Sequence, residues 1–175
     1  YTVQIMNMKK KTVPILTIFF LLTTLVSGVD INATAVGGTH SLFLKSDGSL
    51  WVTGGNDAGQ LGDGSTTDRN STFRILDLNV TAVAAGNRHS LYLKTNGSLW
   101  AMGLNRSGQL GDSSDLNRSN PVQIEASGVQ AISAGYDHSL YIKSDGSLRG
   151  MGENQYGQLG VGSTVDQNSS VQILD

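Results

Sequence analysis

His89-Ser90-Leu91-Tyr92-Leu93-Lys94-Thr95-Asn96-Gly97-Ser98-Leu99-Trp100-Ala101-Met102-Gly103 decides the fold of this chain. Leu91 and Leu93 fall on one face of an extended strand, and His89 falls on the same face. Asn96-Gly97 between two β-prone runs is the strongest short-range hairpin signal, and it predicts a two-residue type I′ turn with positive φ at both positions. The stretch recurs at residues 40–54 and 138–152, with Asp47-Gly48 and Asp145-Gly146 at the turn.

His40, His89 and His138 are 49 residues apart, as are Gln60, Gln109 and Gln158, and the copies superpose without a gap. The same residue stands in all three copies at 17 columns, which excludes coincidence. A fixed period of this size means supersecondary units, none of which hides its apolar face alone. In the middle copy Thr81-Ala82-Val83-Ala84-Ala85 reads as a strand ended by Gly86. Gly103 to Asn120 reads as a loop carrying Gly108-Gln109-Leu110-Gly111, and Val122-Gln123-Ile124 reads as a last strand. Four short strands per repeat with a tight hairpin in the middle describe a propeller blade, whereas β-solenoid coils lack that hairpin. The expected fold is therefore all-β: an incomplete β-propeller of three four-stranded blades, preceded by a hydrophobic leader. Its parts are the leader at 1–28 and repeats at 29–79, 80–128 and 129–175.

Lys9-Lys10-Lys11 followed by Thr12 to Gly28, with no charge and the run Ile15 to Leu22, has the layout of a secretory signal peptide. Pro14 and four threonines weaken the rival reading of an uncleaved membrane anchor. The leader points to a secreted, periplasmic or cell-surface protein, with the membrane as partner only if the leader stays attached. From Val29 onward nine Lys and Arg face fourteen Asp and Glu. Without a basic cluster the body offers no surface for a phosphate backbone, so nucleic acid is not an expected partner. Zero cysteines exclude disulfides, thiolate nucleophiles and Cys-ligated zinc.

Three histidines repeated identically in strand-entering positions are expected to be hydrogen-bonded parts of each blade, not bases or metal ligands. Gln60, Gln109 and Gln158 lie in Gly-Gln-Leu-Gly segments that lack the Lys-Ser/Thr of a phosphate loop, so they too are assigned to structure. Asp57, Asp63 and Asp68 do not have calcium-loop spacing. No cofactor, metal or catalytic residue is expected, and the seven Asn-x-Ser/Thr sequons, among them Asn32, Asn70, Asn79 and Asn96, follow from the Asn- and Ser-rich composition. Partner choice is expected in loop columns where the copies differ. These are Thr39, Arg88 and Asp137 before each histidine, and Asp57, Arg106 and Gln155 in the long loop beside Ala58, Ser107 and Tyr156. A further differing column is Trp51, Trp100 and Arg149, whose two tryptophans can pack between blades.

The runs 89–94 and 99–103 with the Asn-Gly turn, and Ser107-Gly108-Gln109-Leu110-Gly111-Asp112, resemble the regulator of chromosome condensation repeat across residues 31–175. The resemblance implies a propeller that typically has seven blades, and seven copies of this period would occupy about 343 residues. Three copies cannot close alone, so further blades are expected from a longer chain or an oligomer. The resemblance and the leader together lead us to expect a non-catalytic, exported, bacterial binding scaffold whose partner is a protein or a surface ligand. The resemblance also brings a guanine-nucleotide exchange regulator of a small GTPase, which export opposes, and a secreted inhibitor of an enzyme such as a β-lactamase. N-terminal sequencing of the protein from its native host should find a new terminus just after Gly28; an intact leader on a cytosolic chain would contradict export.

Overall fold

A computed structural model describes residues 30–75 and 79–174. The expected leader at 1–28 lies outside the described residues. From Ile31 onward the described chain is built of strands alone, four to each copy of the repeat. The first copy forms β1 (Ile31–Val36), β2 (His40–Lys45), β3 (Leu50–Gly54) and β4 (Arg69–Arg74). The second forms β5 (Val80–Ala85), β6 (His89–Lys94), β7 (Leu99–Gly103) and β8 (Arg118–Glu125), and the third forms β9 (Val129–Ala134), β10 (His138–Lys143), β11 (Leu148–Gly152) and β12 (Gln167–Leu174). Each set is an antiparallel four-stranded sheet in sequence order, which is a propeller blade. β1 lies beside β5 and β5 beside β9, so the first strand of each blade is the innermost.

Antiparallel order fixes two rims. The β1–β2 turn and the long β3–β4 loop of every blade emerge on one rim; the β2–β3 hairpin tip and the passage to the next blade emerge on the other. The hairpin differs in kind from the type I′ turn expected from sequence. Gly48, Gly97 and Gly146 have φ of 77, 75 and 90°, but the residue before each stays outside the left-handed region. Lys94 accepts the Gly97 N–H at 2.9 Å and donates to the Ser98 carbonyl at 3.1 Å, giving a type I turn closed by a bulged glycine. The Asn96 side chain explains the choice. Its Oδ1 accepts both the N–H and the hydroxyl of Ser98, at 3.0 and 2.7 Å, a local ring that the backbone of a two-residue loop would not offer. Asp47 and Asp145 hold Ser49 and Ser147 in the same way.

Two apolar clusters join the blades. Leu42, Leu44, Leu50, Val52 and Leu61 of the first blade pack on Val80, Tyr92 and Met102 of the second; Leu91, Leu93, Leu99, Ala101 and Leu110 of the second pack on Val129, Tyr141 and Met151 of the third. Within each interface lies one polar thread. Ser90 Oγ donates to the Gln60 carbonyl at 2.8 Å, so its lone pair accepts the His40 Nε2–H at 2.8 Å. Ser139 repeats this between the Gln109 carbonyl, at 2.8 Å, and His89 Nε2, at 2.9 Å.

The opposite ring nitrogen, Nδ1, is buried without a partner in His40 and His89, as befits a neutral imidazole packed on backbone. A Cβ on Gly37 or Gly86 would lie 2.3 or 2.1 Å from Cε1 of that ring, which is why those columns hold glycine. Burial pushes the His40 pKa down to about 4 and that of His89 to about 3, the latter helped by the neighbouring histidines.

Because both values fall below the ordinary 6.5, the unfolded chain takes up protons first as pH drops. Stability is therefore complete above about pH 6.5 and declines towards pH 4. Urea midpoints at pH 7 and pH 5 lie on either side of the ordinary histidine value. We expect a clear loss at pH 5, and no such loss in a His40→Gln/His89→Gln variant that still folds.

Candidate functional site

The long β3–β4 loops dominate one rim, and a buried asparagine organises each. Asn105 Oδ1 accepts the Leu110 N–H at 2.9 Å, and its amide donates to Asp112 Oδ1 and the Ser114 carbonyl, both at 2.9 Å. Its own N–H donates to Asn117 Oδ1 at 3.0 Å. Asn56 and Asn154 make the corresponding bonds to Leu61 and Leu159, with Asp68 and Asp166 accepting their backbone N–H groups. A side chain with both donor and acceptor ends can hold a loop of this length from inside. Gln60, Gln109 and Gln158 add a second tie, each accepting the backbone N–H two residues earlier.

The carboxylates of these loops are engaged in holding them. Asp63 accepts from Asn56, Ser65 and Arg69, and Asp112 from Asn105, Ser114 and Arg118. Burial alone would raise both pKa values, but these hydrogen bonds outweigh it and hold the carboxyls below the usual range. In the third copy both partners change together, to Val161 and Gln167. No group of His, Asp and Glu that could hold a metal ion occurs among the described residues.

The variable columns meet across blade boundaries on this rim. Arg88 of the second blade forms an ion pair with Asp57 of the first, and Gln60 Nε2 donates to the same carboxylate at 3.3 Å. One blade further on, Gln109 Nε2 donates to Asp137 Oδ1 at 3.1 Å. Burial raises the Asp137 pKa, and the nearby Glu153 carboxylate adds to it. Glu153 itself accepts from Gln155 and Gln158. Ser107 is half-buried, its N–H spent on Gln109, while Thr39, Arg106 and Gln155 are exposed. Tyr156 is 84% exposed. Ala58 is buried, so that column varies between loop core and rim.

Tyr136, 68% exposed in the β9–β10 turn, and Glu153 were missed from sequence, although their columns also differ between copies: Gly38, Asn87 and Tyr136; Gly55, Leu104 and Glu153. The first of these columns also links the blades through backbone, Gly38 N–H to the Asn87 carbonyl and Asn87 N–H to that of Tyr136, both at 3.0 Å. Away from the rim, Trp100 packs against the first inter-blade cluster, stacked on Tyr92. Trp51 lies under Lys45, 3.7 Å from the ring centre.

The family model described as regulator of chromosome condensation (RCC1) repeat matches residues 47–93 and 96–142, and a second model of the same description matches 31–60, 80–109 and 129–158. The chain belongs to the RCC1 repeat family. No curated protein matches it in sequence. Among solved structures, human WBSCR16 aligns with 82% of this chain at 26% identity and a TM-score of 0.73, and Prp20p of Saccharomyces cerevisiae with 83% at 22% identity and 0.71. Yeast RCC1 (Prp20) bound to Kap60 aligns with 83% at 23% identity and 0.70. This RCC1-repeat chain spans only 39, 38 and 37% of the chains in those three structures, two of which are of Prp20.

Ties inside the RCC1 loops and ties between exposed rim residues should differ in strength. Asn105→Ala strands the buried Leu110 N–H and takes a donor from the Ser114 carbonyl and the Asp112 carboxylate, and should cost about 2–4 kcal/mol. Arg88→Ala breaks only a solvent-exposed pair and should cost less than about 1 kcal/mol. Urea denaturation of both variants checks the order.

Proposed function

We propose that this chain is a non-catalytic, exported scaffold that binds a protein through the rim carrying the β1–β2 turns and the long loops. Exposed Tyr136 and Tyr156 carry the reading: two large aromatic side chains in columns where the other copies hold Gly38 and Asn87, or Ala58 and Ser107. Rigid loops lower the entropy lost on binding, and tyrosine supplies contact area with few rotamers. Asp137 and Glu153 stand beside this surface, and a cationic group of a partner would relieve their crowding. Solved relatives fit a protein partner, since Prp20p is described with binding to Gsp1p and histones, and yeast RCC1 with Kap60. Their identity of 22 and 23% supports the fold and leaves this chain's own partner open. Export rests on the charged and apolar leader.

A photo-crosslinking residue at Tyr156, compared with one at Asp145 on the opposite rim, tests the surface in the native host. The partner should be captured from position 156 and not from 145. Tyr136→Ala/Tyr156→Ala should weaken binding at least tenfold with folding unchanged. Capture from 145, or full binding by the double variant, would contradict the reading.

A further inference from the structure

Between the outer strands of the first and second blades the boundary opens into a cleft of about 410 Å³, inside the range of roughly 300–1,000 Å³ found for small-molecule sites. Phe73, Ile75, Trp100 and Pro121 give it apolar walls, and Asp63 and Asn120 add polar atoms. The next boundary has different walls. There the columns of Phe73, Trp100, Asn120 and Pro121 carry Val122, Arg149, Ser169 and Ser170, whereas those of Asp63 and Ile75 carry Asp112 and Ile124. The two kept columns serve the blade itself: Asp63 holds the long loop and Ile75 belongs to the inter-blade cluster. The four that change are not needed for packing one blade on the next, and at this boundary they supply two aromatic rings.

Both rings are held in place by the protein. The Arg69 guanidinium, paired with Asp63, lies 4.0 Å from the centre of the Phe73 ring. Trp100 donates its Nε1–H to Ser98 Oγ at 3.0 Å, stacks on Tyr92 with the ring planes 5° apart, and has Lys94 Nζ 4.6 Å from its centre. A wall fixed in advance loses little entropy when a ligand arrives.

These same contacts select the ligand's chemistry. Each ring already has a cation over it, and the buried Asp63 carboxylate is engaged by Asn56, Ser65 and Arg69, so a cationic ligand would meet repulsion with no free countercharge. The Trp100 Nε1–H, bound to Ser98, does not serve a peptide carbonyl, which weighs against a proline-rich segment. Asn120 is exposed, and its side chain bonds none of the described residues. Its amide presents a donor and an acceptor side by side.

We propose that this cleft binds one neutral pyranose ring of a glycan. A pyranose has an apolar C–H face, which packs on the Trp100 and Phe73 walls, and adjacent hydroxyls, each both donor and acceptor, which pair with the Asn120 amide. The site lies on the outer edge of a blade boundary and stands independently of the protein-binding rim.

Titration of the full-length protein with cellobiose, lactose, maltose and N,N′-diacetylchitobiose, followed by NMR, tests this. At least one of these sugars should saturate with a Kd of about 1 mM or tighter, shifting the Trp100 indole resonance and leaving that of Trp51 in place. Phe73→Val and Asn120→Ser, each bringing in the residue that the next boundary carries, should weaken that sugar at least tenfold with the resonances of the third blade unchanged. Asn120 is exposed, so its variant keeps the test sound if Phe73→Val unfolds the blade. Failure of all these sugars to saturate, or equal binding by Asn120→Ser, would overturn the proposal. So would tetramethylammonium or a proline-rich peptide shifting the Trp100 resonance where the sugars do not.

Discussion

The architecture depends on a neutral imidazole donating to a serine of the next blade. An apolar seam alone would hold two sheets face to face but leave them free to slide, because leucine contacts are non-directional. The thread from His40 to Ser90 to the Gln60 carbonyl fixes height and angle at one point. It is buried, so a partner removed from it leaves a polar group unpaired, and misregister is costly. The glycine column beside the ring exists for the same reason: the imidazole reaches the serine only by lying where a Cβ would be. Four of the seventeen shared columns, those of Gly37, His40, Ser41 and Gln60, meet in this one contact at each blade boundary.

A second consequence concerns the loops. Because Asn56, Asn105 and Asn154 hold the long connections from inside, the outward positions carry little of the folding burden and are free to differ. Variation there ranges from Ala58, which is buried, through Ser107 to Tyr156, which stands out in solvent. A surface of this kind can acquire a partner by changing a few side chains while the blade beneath stays the same.

The strands were legible because period-two alternation and Asn-Gly or Asp-Gly turns are local signals. His40, Leu42 and Leu44 point to one face, as their spacing requires. The turn type was not legible, since Asn96 tolerates positive φ in principle and only its bond to Ser98 shows that it avoids it. The last strand of the second blade was read too short: Arg118 pairs with Gly103 and is held by Asp112, neither of which alters the local pattern. Contacts between blades were out of reach for the same reason. Arg88 and Asp57 lie 31 positions apart, and nothing in either residue's neighbourhood announces the other. Tyr136 could have been found by applying the rule of differing columns one position further from the histidine.

A double-mutant cycle on His40→Ala and Ser90→Ala, read by urea denaturation at pH 7, tests the thread most directly. If the imidazole and the hydroxyl hold the blades jointly, the two losses should fall short of additivity by at least about 1 kcal/mol. Additive losses would contradict the account, leaving the apolar seam and the backbone and rim bonds to hold the blades together.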